Sequence, residues 1–572
     1  TVRWPSGAVQ TFRDLAADRH YEVREPKAAE ASRSAADEVA AAPPLLVAAS
    51  PLPVRHRERD FDDYAVQPLL PHRLSRKGPG LAVGDIDGDG DDDVYVGGAA
   101  GQSGTLLRSR GDCVFEPVPG PWSEDAECED MGAVFFDCDG DSDLDLYVSS
   151  GGVEAGDLTE LLRDRLYVND GSGTFHRAGV GVLPDLRRSS GPVCVADFDG
   201  DSDLDLFVGT MVRPSRFPES EASVLLRNDG GVFVEVTASV APGLLEGGMV
   251  TAAVWAHIDG DSHMDLVVAA QWQPLRLFRN VAGKTLVDVS ADFFADRPSG
   301  QWQSLLAEDL DEDGRVELIV GNLGLNTKYK ASAERPLRLY AADLDGSGTF
   351  DVIEAKEQDG KLLPVRGLSC SSEAIPHLKV AFPTYDEFAR ATLPEIYGNT
   401  DLESARELRC DELRHLVFHR KDGPFRAMPL PRAAQIAPVQ GIAVADVDGD
   451  SVLDLVLAHN SYSPEPETGR FDGGLGLVLR GVGGLSFEAV PPLASGFAQG
   501  GDQKALAVLD LDRDGSADFL LATNDGPVHA FLSPRRERGV SLRLRGNAGN
   551  PDAVGARVMV VSPDGRSQRR SI

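Results

Sequence analysis

The stretch LAVGDIDGDGDDDVYVGG, residues Leu81–Gly98, decides the fold. Apolar residues flank a run in which Asp85, Asp87, Asp89, Asp91 and Asp93 occupy alternate positions, with Gly88 and Gly90 between them. The flanks predict two short strands, and the glycines permit the sharp turn that joins them. Carboxylates at positions 1, 3, 5 and 9, with the carbonyl at position 7, supply the hard oxygen ligands that calcium takes in sets of about six to eight. Packed together without a cation, those charges repel one another.

The pattern returns along the chain. It recurs from Val134 with Asp137, Asp139, Asp141, Asp143 and Asp145, and from Val193 with Asp197, Asp199, Asp201, Asp203 and Asp205. It recurs again from Ile442 with Asp446, Asp448, Asp450 and Asp454, and from Leu506 with Asp510, Asp512, Asp514 and Asp518. Three copies are altered. One has His257 in first position, one carries Asp309, Asp311 and Asp313 but ends on Glu317, and one carries Asp343, Asp345 and Asp351 with Ser347 at its third acidic position.

Most copies lie about 50 to 65 residues apart, the length of one four-stranded propeller blade. Asn-Asp-Gly turns in LYVNDGSGTF from Leu166 and LLRNDGGVF from Leu225 mark a second hairpin within the repeat. The expected fold is therefore all-β, a seven-bladed β-propeller over residues 51–535. The 34-residue step from Asp309 to Asp343 is too short for a blade, so Asp343–Asp351 is read as the second hairpin of the blade that Asp309 opens. Eight blades follow instead if the helical insert splits a blade. That insert, about residues 364–410, has apolar residues at helical spacing in HLKVAFPTYDEFARATLPEIYG and LESARELRCDELRHL. Residues 27–50, rich in Ala, Pro, Glu and Ser, read as a linker. The first residues of VRHRERDFDDYAVQPLLP, from Val54, are a candidate closing strand, because ring closure removes a free sheet edge.

Composition narrows the function. The chain has 572 residues and a formal charge of −35, from 91 acidic and 56 basic residues. No basic face is available for phosphate contacts, which argues against nucleic acid and against an anionic membrane surface. No run of about 18 apolar residues appears, so membrane insertion by a helix is not expected. The chain opens on Thr1 rather than Met, so a preceding segment, including any signal peptide, is expected. None of the six cysteines forms a CxxC pair, which disfavours a thiolate zinc site. Cys138 and Cys194 fall in apolar strand patterns. Cys113 with Cys128 and Cys370 with Cys410 are the pairs open to bridging in an oxidising compartment, and the sequence does not fix any pairing.

The expected cofactor is Ca2+, about five to seven ions. Ligand count puts the loops at Asp85, Asp137, Asp197, Asp446 and Asp510 first, then the one closed by Glu317, then the Asp343 loop. His257 reads as a hydrogen-bonded strand-end residue, since imidazole is a poor calcium ligand.

Over residues 81–533 these loops resemble the FG-GAP/VCBS repeats of integrin α-subunit propellers and of many bacterial surface proteins. At the termini, VRWPSGAVQTFRDLAADRHYEV (Val2–Val23) resembles the end of an ASPIC/UnbV domain, and GVSLRLRGNAGNPDAVGARVMVV (Gly539–Val561) resembles the start of one. Trp4-Pro5-Ser6-Gly7 and Asn550–Arg557 carry that resemblance, which assigns residues 1–26 and 537–572 to the two pieces. GNLGLNTKYKASAERPLRLY (Gly321–Tyr340) is similar to bacterial members of the group, whose relatives include cartilage acidic protein. The reversed order of the pieces reads as a fragment of a tandem protein, or else as a permuted chain. The resemblance implies a secreted, cell-surface or periplasmic protein that recognises a protein or glycan with the help of calcium. It implies no defined reaction.

An enzyme is the competing class, for example a calcium-dependent polysaccharide lyase working at the propeller face. No HExxH, GxSxG or P-loop pattern occurs. Trp122, Trp255, Trp272 and Trp302 suit either sugar stacking or core packing, and core is favoured. A cluster of Lys, Arg, His or Tyr at the central pore, away from the acidic loops, would separate the hypotheses; the sequence does not place residues there.

Overall fold

The computed structural model describes residues 43–157 and 159–534, residues 2–3 and 9–10, and, near the C-terminal end, residues 544–546, 549–561 and 567–571. It divides into two units, Thr1–Pro44 and Leu45–Ile572. The described part of the first is one antiparallel pairing, Val2–Arg3 with Val9–Gln10. The ASPIC/UnbV readings of 1–26 and 537–572 lie largely outside the described residues. Within 537–572 the structure describes one hairpin, Arg557–Val561 with Ser567–Ser571.

The second unit is built from four-stranded antiparallel sheets. In the first, Leu81–Gly84, Asp93–Val96, Thr105–Ser109 and Phe115–Val118 pair in chain order. Its second strand is buried along its whole length, which explains why Val94, Tyr95 and Val96 read as an unbroken apolar run. Val94 and Val96 pack toward the last sheet, beside Leu520 and Ala522, while Tyr95 packs toward the second, beside Leu146 and Tyr167. Each sheet thus buries both faces, one against each neighbour.

The innermost strands are Leu81–Gly84, Glu129–Phe136, Ser190–Ala196, Met249–Ala256, Ser304–Glu308, Val439–Ala445 and Asp502–Leu509. Each touches the next, and the last touches the first, so seven sheets stand in a closed cycle. The closing strand is Val47–Ala48, paired Val47 to Leu532 and Ala48 to Phe531. Backbone bonds from Leu52 to Val528 (2.9 Å) and from His56 to Gly526 (2.9 Å) continue the seam. Closure therefore begins inside the segment read as a linker, upstream of Val54. Leu46, fully buried against Phe497, Phe519 and Phe531, anchors it.

The reading of Asp343–Asp351 is corrected. The sheet opened by Ser304–Glu308 and Glu317–Gly321 is completed by Leu416–His419 and Arg426–Pro429, with Leu318 opposite Phe418. Leu337–Ala342, Asp351–Gln358, Lys361–Pro364 and Arg406–Cys410 form a separate sheet inserted into it. An acidic hairpin specifies two paired strands, but not the sheet they join. Helices follow at Leu368–Ala374, Leu378–Ala381, Tyr385–Arg390, Leu393–Tyr397 and Asn399–Ser404. Reciprocal Thr384–Glu387 and Thr392–Glu395 capping boxes start the third and fourth of these. The insert is thus sheet plus helices. Its core, including Leu339, Ile353, Leu378, Phe388 and Leu393, is continuous with Leu70, Phe217 and Trp272.

All six cysteines are free thiols, Cys113, Cys128, Cys370 and Cys410 included. Among the described residues, no helix is long and apolar enough to cross a membrane.

Candidate functional sites: the acidic loops and the ring axis

Each acidic loop joins the first strand of a sheet to its second. Position 1 braces the turn with both oxygens. Asp137 accepts from the Gly140 amide at 2.7 Å and the Ser142 amide at 3.0 Å. Asp197 does the same with Gly200 and Ser202, and Asp446 with Gly449 and Ser451. Asp85 and Asp510 take the amides at positions 5 and 6 instead. Position 5 accepts the amide of position 7, as in Asp89 to Asp91 (2.9 Å), Asp141 to Asp143 (3.2 Å), Asp313 to Arg315 (2.9 Å), Asp450 to Val452 (2.9 Å) and Asp514 to Ser516 (2.8 Å). Gly140 and Ser142 have φ of 83° and 75°, so this turn uses left-handed backbone at positions 4 and 6.

Position 9 starts the second strand and ties the loop down. One oxygen of Asp205 accepts the Phe198 amide at 3.0 Å and the other the Asn228 amide on the third strand at 2.8 Å. Asp93, Asp145, Asp454 and Asp518 make the same two bonds, to Ile86 and Ser109, Cys138 and Asn169, Val447 and Gly481, and Leu511 and Ser533. Glu317 and Asp351 keep the first of the pair, to Leu310 and Leu344. The third strand then staples neighbouring sheets. Asn169, Asn228 and Asn280 donate to the position 2 carbonyls of the preceding loops, Ile86, Cys138 and Phe198, at 2.8, 2.8 and 2.7 Å.

Oxygens at positions 1, 3 and 9 converge. In Asp85–Asp87–Asp93, Asp137–Asp139–Asp145, Asp197–Asp199–Asp205 and Asp309–Asp311–Glu317, one oxygen from each residue lies within 4.8 Å of the others. Asp87 Oδ1 and Asp143 Oδ1 are buried without a hydrogen-bond partner. Burial, reinforced by neighbouring carboxylates, lifts Asp93 to about 7, Asp205 to about 8, Glu317 to about 8 and Asp454 to about 7. Asp145, Asp351 and Asp518 rise to about 6, and Asp139, Asp197, Asp199 and Asp446 also rise. Asp87 has the Arg108 guanidinium 3.3 Å from its other oxygen; the raised carboxylates are short of counter-charge, and the donor set fits a hard divalent cation held by positions 1, 3 and 9. Two of the position 7 acids turn to other partners. Asp91 meets the Arg513 guanidinium from the last loop, and Asp203 accepts the Gly230 amide at 3.1 Å. The Asp343 loop keeps its turn, with Asp343 accepting Gly348 at 3.0 Å and Asp345 accepting Ser347 at 2.9 Å.

The His257 loop is altered in kind. Asp259, Asp261 and Asp265 keep their turn bonds. The imidazole lies between two carbonyl oxygens instead, with Nδ1 3.3 Å from that of His263 at position 7 and Nε2 3.1 Å from that of Gly555 in the C-terminal segment, and a ring with one N–H donates to one of them. That segment reaches a second loop, where the Gly549 amide donates to Asp137 Oδ2 at 3.3 Å.

Sequence reasoning missed the ring axis. Toward the end of the inner strands away from the acidic loops, Gly80, Gly132, Gly191, Thr251, Gln303, Gln440 and Lys504 line a cavity, each from the first half of a different inner strand or the residue before it. It shares Lys77, Gln303 and Gln440 with a chamber bounded by His72, Trp272, Tyr329 and Glu354. GNLGLNTKYK thus reaches this chamber through Leu323 and Tyr329. Burial and Glu354 hold the Tyr329 phenol well above its ordinary range, and burial keeps His72 neutral. Among the described residues the other tryptophans are core: Trp122 meets Tyr95, Tyr167 and Phe175 edge-on, Trp255 stacks on Phe198, and Trp302 is fully buried. Motif spacing carries no signal for the axis, whose residues come from every sheet.

A separate polar group joins His56, Glu58 and Glu129. There the Asp525 amide donates to His56 Nδ1 at 3.2 Å, which leaves the proton of the neutral ring on Nε2 and makes it a donor rather than a metal ligand.

The family model described as FG-GAP-like repeat matches residues 70–148, 151–208 and 257–320. No curated protein matches the chain. Among solved structures, one of BBS1N in complex with ARL6DN, soaked with mercury, matches at 10% identity and TM-score 0.39, covering 87% of this chain and 100% of that one. The biofilm matrix protein Bap1 of V. cholerae matches at 10% identity and TM-score 0.31, covering 88% of this chain and 98% of that one.

Proposed function

We propose that this protein is an extracellular calcium-binding propeller scaffold for recognition of a protein or glycan. The observation that carries the reading is the repeated convergence of carboxylates from positions 1, 3 and 9, with three of those loops stapled to the next sheet by an asparagine. Calcium at those points ties the first two strands of a sheet together, and through position 9 it also braces the third strand. A secreted, cell-surface or periplasmic setting is part of this proposal, supported by the FG-GAP-like repeats; calcium modules in such a setting need an affinity of only about 10⁻⁴ to 10⁻³ M. The terminal resemblance to ASPIC/UnbV domains and to the cartilage acidic protein group belongs to this reading. A lyase is the weaker alternative: Lys77, His72 and Tyr329 do meet at the axis, but burial makes His72 a weak base and holds Tyr329 as phenol, which leaves Lys77 as the one candidate base among these three.

Thermal melts in calcium and in chelator, with bound calcium counted on the intact chain, test the proposal. A marked rise in melting temperature with about five to seven ions supports it. No shift and no bound calcium would reduce the loops to acidic turns.

A further inference from the structure

The ring axis holds a second set of unsatisfied groups, opposite in character to the loops. Lys77 makes no ion pair within 4.0 Å among the described residues. Asp502 is taken by Lys504 at 2.8 Å, Asp63 is engaged by Ser75 and the amides of Leu74 and Ser75, and Glu354, the acid on the chamber wall, is faced by the Arg366 guanidinium at 3.6 Å. Around the same chamber, the indole Nε1 of Trp272 and Nε2 of His72 are buried without a hydrogen-bond partner. Trp272 is 4% exposed and has φ of 63°, a costly backbone for a bulky residue. Native interiors rarely leave such polar atoms bare, and a strained aromatic that both packs on the core and walls a cavity points to a site there. The chamber's own cavity volume is about 50 Å³, and it shares Lys77, Gln303 and Gln440 with the axial cavity of about 240 Å³, so the room for a small ligand spans the two.

The chemistry specifies the occupant. A lone ammonium and an indole N–H aim at an acceptor bearing negative charge. Gln303 and Gln440 each offer a donor and an acceptor, as hydroxyl groups require, and Trp272 supplies an apolar face. We infer that the axial chamber binds a small hydroxylated carboxylate, a sugar acid in chemical class, with its carboxylate on Lys77 and its body against Trp272 and the glutamines. The site names a ligand class for the scaffold proposed above, yet its test is independent of calcium: loop occupancy is read by the melt, capture at the axis by titration.

Glucuronate, glucose and acetate are titrated into the full chain in saturating calcium, following heat and tryptophan fluorescence. Glucuronate should bind at least tenfold more tightly than either glucose or acetate. Lys77→Gln should lose at least tenfold in glucuronate affinity while keeping the wild-type calcium stoichiometry and melting temperature. Gln440→Ala, which leaves the charge in place, should weaken glucuronate but not acetate. Absence of glucuronate binding at millimolar concentration, equal binding of glucose or acetate, or full affinity in a folded Lys77→Gln protein would overturn the inference.

Discussion

Position 9 of the acidic loops has two separable duties, and Asp205 shows how to divide them. The fully buried carboxylate accepts the amides of Phe198 and Asn228 with its two oxygens. Asp205→Ala leaves two buried N–H groups without acceptors, at about 1–3 kcal/mol each, so roughly 2–6 kcal/mol in total. In a ring of this size that corresponds to a fall of roughly 2–6 °C in melting temperature. The loss must appear in chelator, because it arises from the fold and not from the ion. Asp205→Asn keeps one acceptor and should fall about half as far. Asp199→Ala removes a half-exposed carboxylate whose bond, from the Asp201 amide, is long at 3.3 Å. In chelator it should cost no more than about 0.5 kcal/mol, while in calcium it should forfeit one bound ion. Parallel melts of the three variants, with and without chelator, and calcium counting settle the matter. If Asp205→Ala melts like the parent in chelator, or if Asp199→Ala keeps every ion, the division of roles fails.

The remaining predictions concern charge and metal. His257→Asp restores the missing first carboxylate beside Asp259, Asp261 and Asp265, so it should add one calcium ion per chain by equilibrium dialysis and release the contact to Gly555, read as faster proteolysis of that segment; unchanged stoichiometry would count against the loop geometry. The pH dependence of the calcium-free protein has a definite sign. Asp93, Asp145, Asp205, Asp454 and Asp518 rise in the fold to between about 6 and about 8, above their unfolded values near 4. The stability they contribute is full below about pH 4 and is lost as pH rises through about 6 to 8, so denaturant midpoints in chelator should fall over that window. In calcium the trend should reverse, because the ion must displace those protons to bind. Lys77, brought down to about 8 by burial and by Lys504, should lose its charge above that pH, and glucuronate affinity at the axis should decline with it.

Local chemistry was legible in the sequence because it is periodic and contiguous. Nine residues such as Asp197–Asp205 contain the carboxylates, the turn and the two strand ends, so the pattern alone announced the hairpins, their repetition and the oxygens that converge. The failures share one cause. Asp343–Asp351 forms a hairpin as read, but the choice of sheet is made by Leu318 facing Phe418 across an insertion, and no local pattern encodes a pairing at that separation. Val47–Ala48 closes the ring from within an Ala/Pro-rich stretch because Leu46 finds a pocket of phenylalanines contributed by distant strands. The axis is the extreme case. Lys77, Trp272, Gln303 and Gln440 are scattered over several hundred residues and meet only because the inner strands start around one centre. The sequence by itself determined the acidic hairpins and their repetition, since a short loop carries its own ligands and turn residues. Which strands share a sheet, what closes the ring and what lines its axis were decided by tertiary structure, because burial of apolar faces selects among partners that local pattern leaves equivalent.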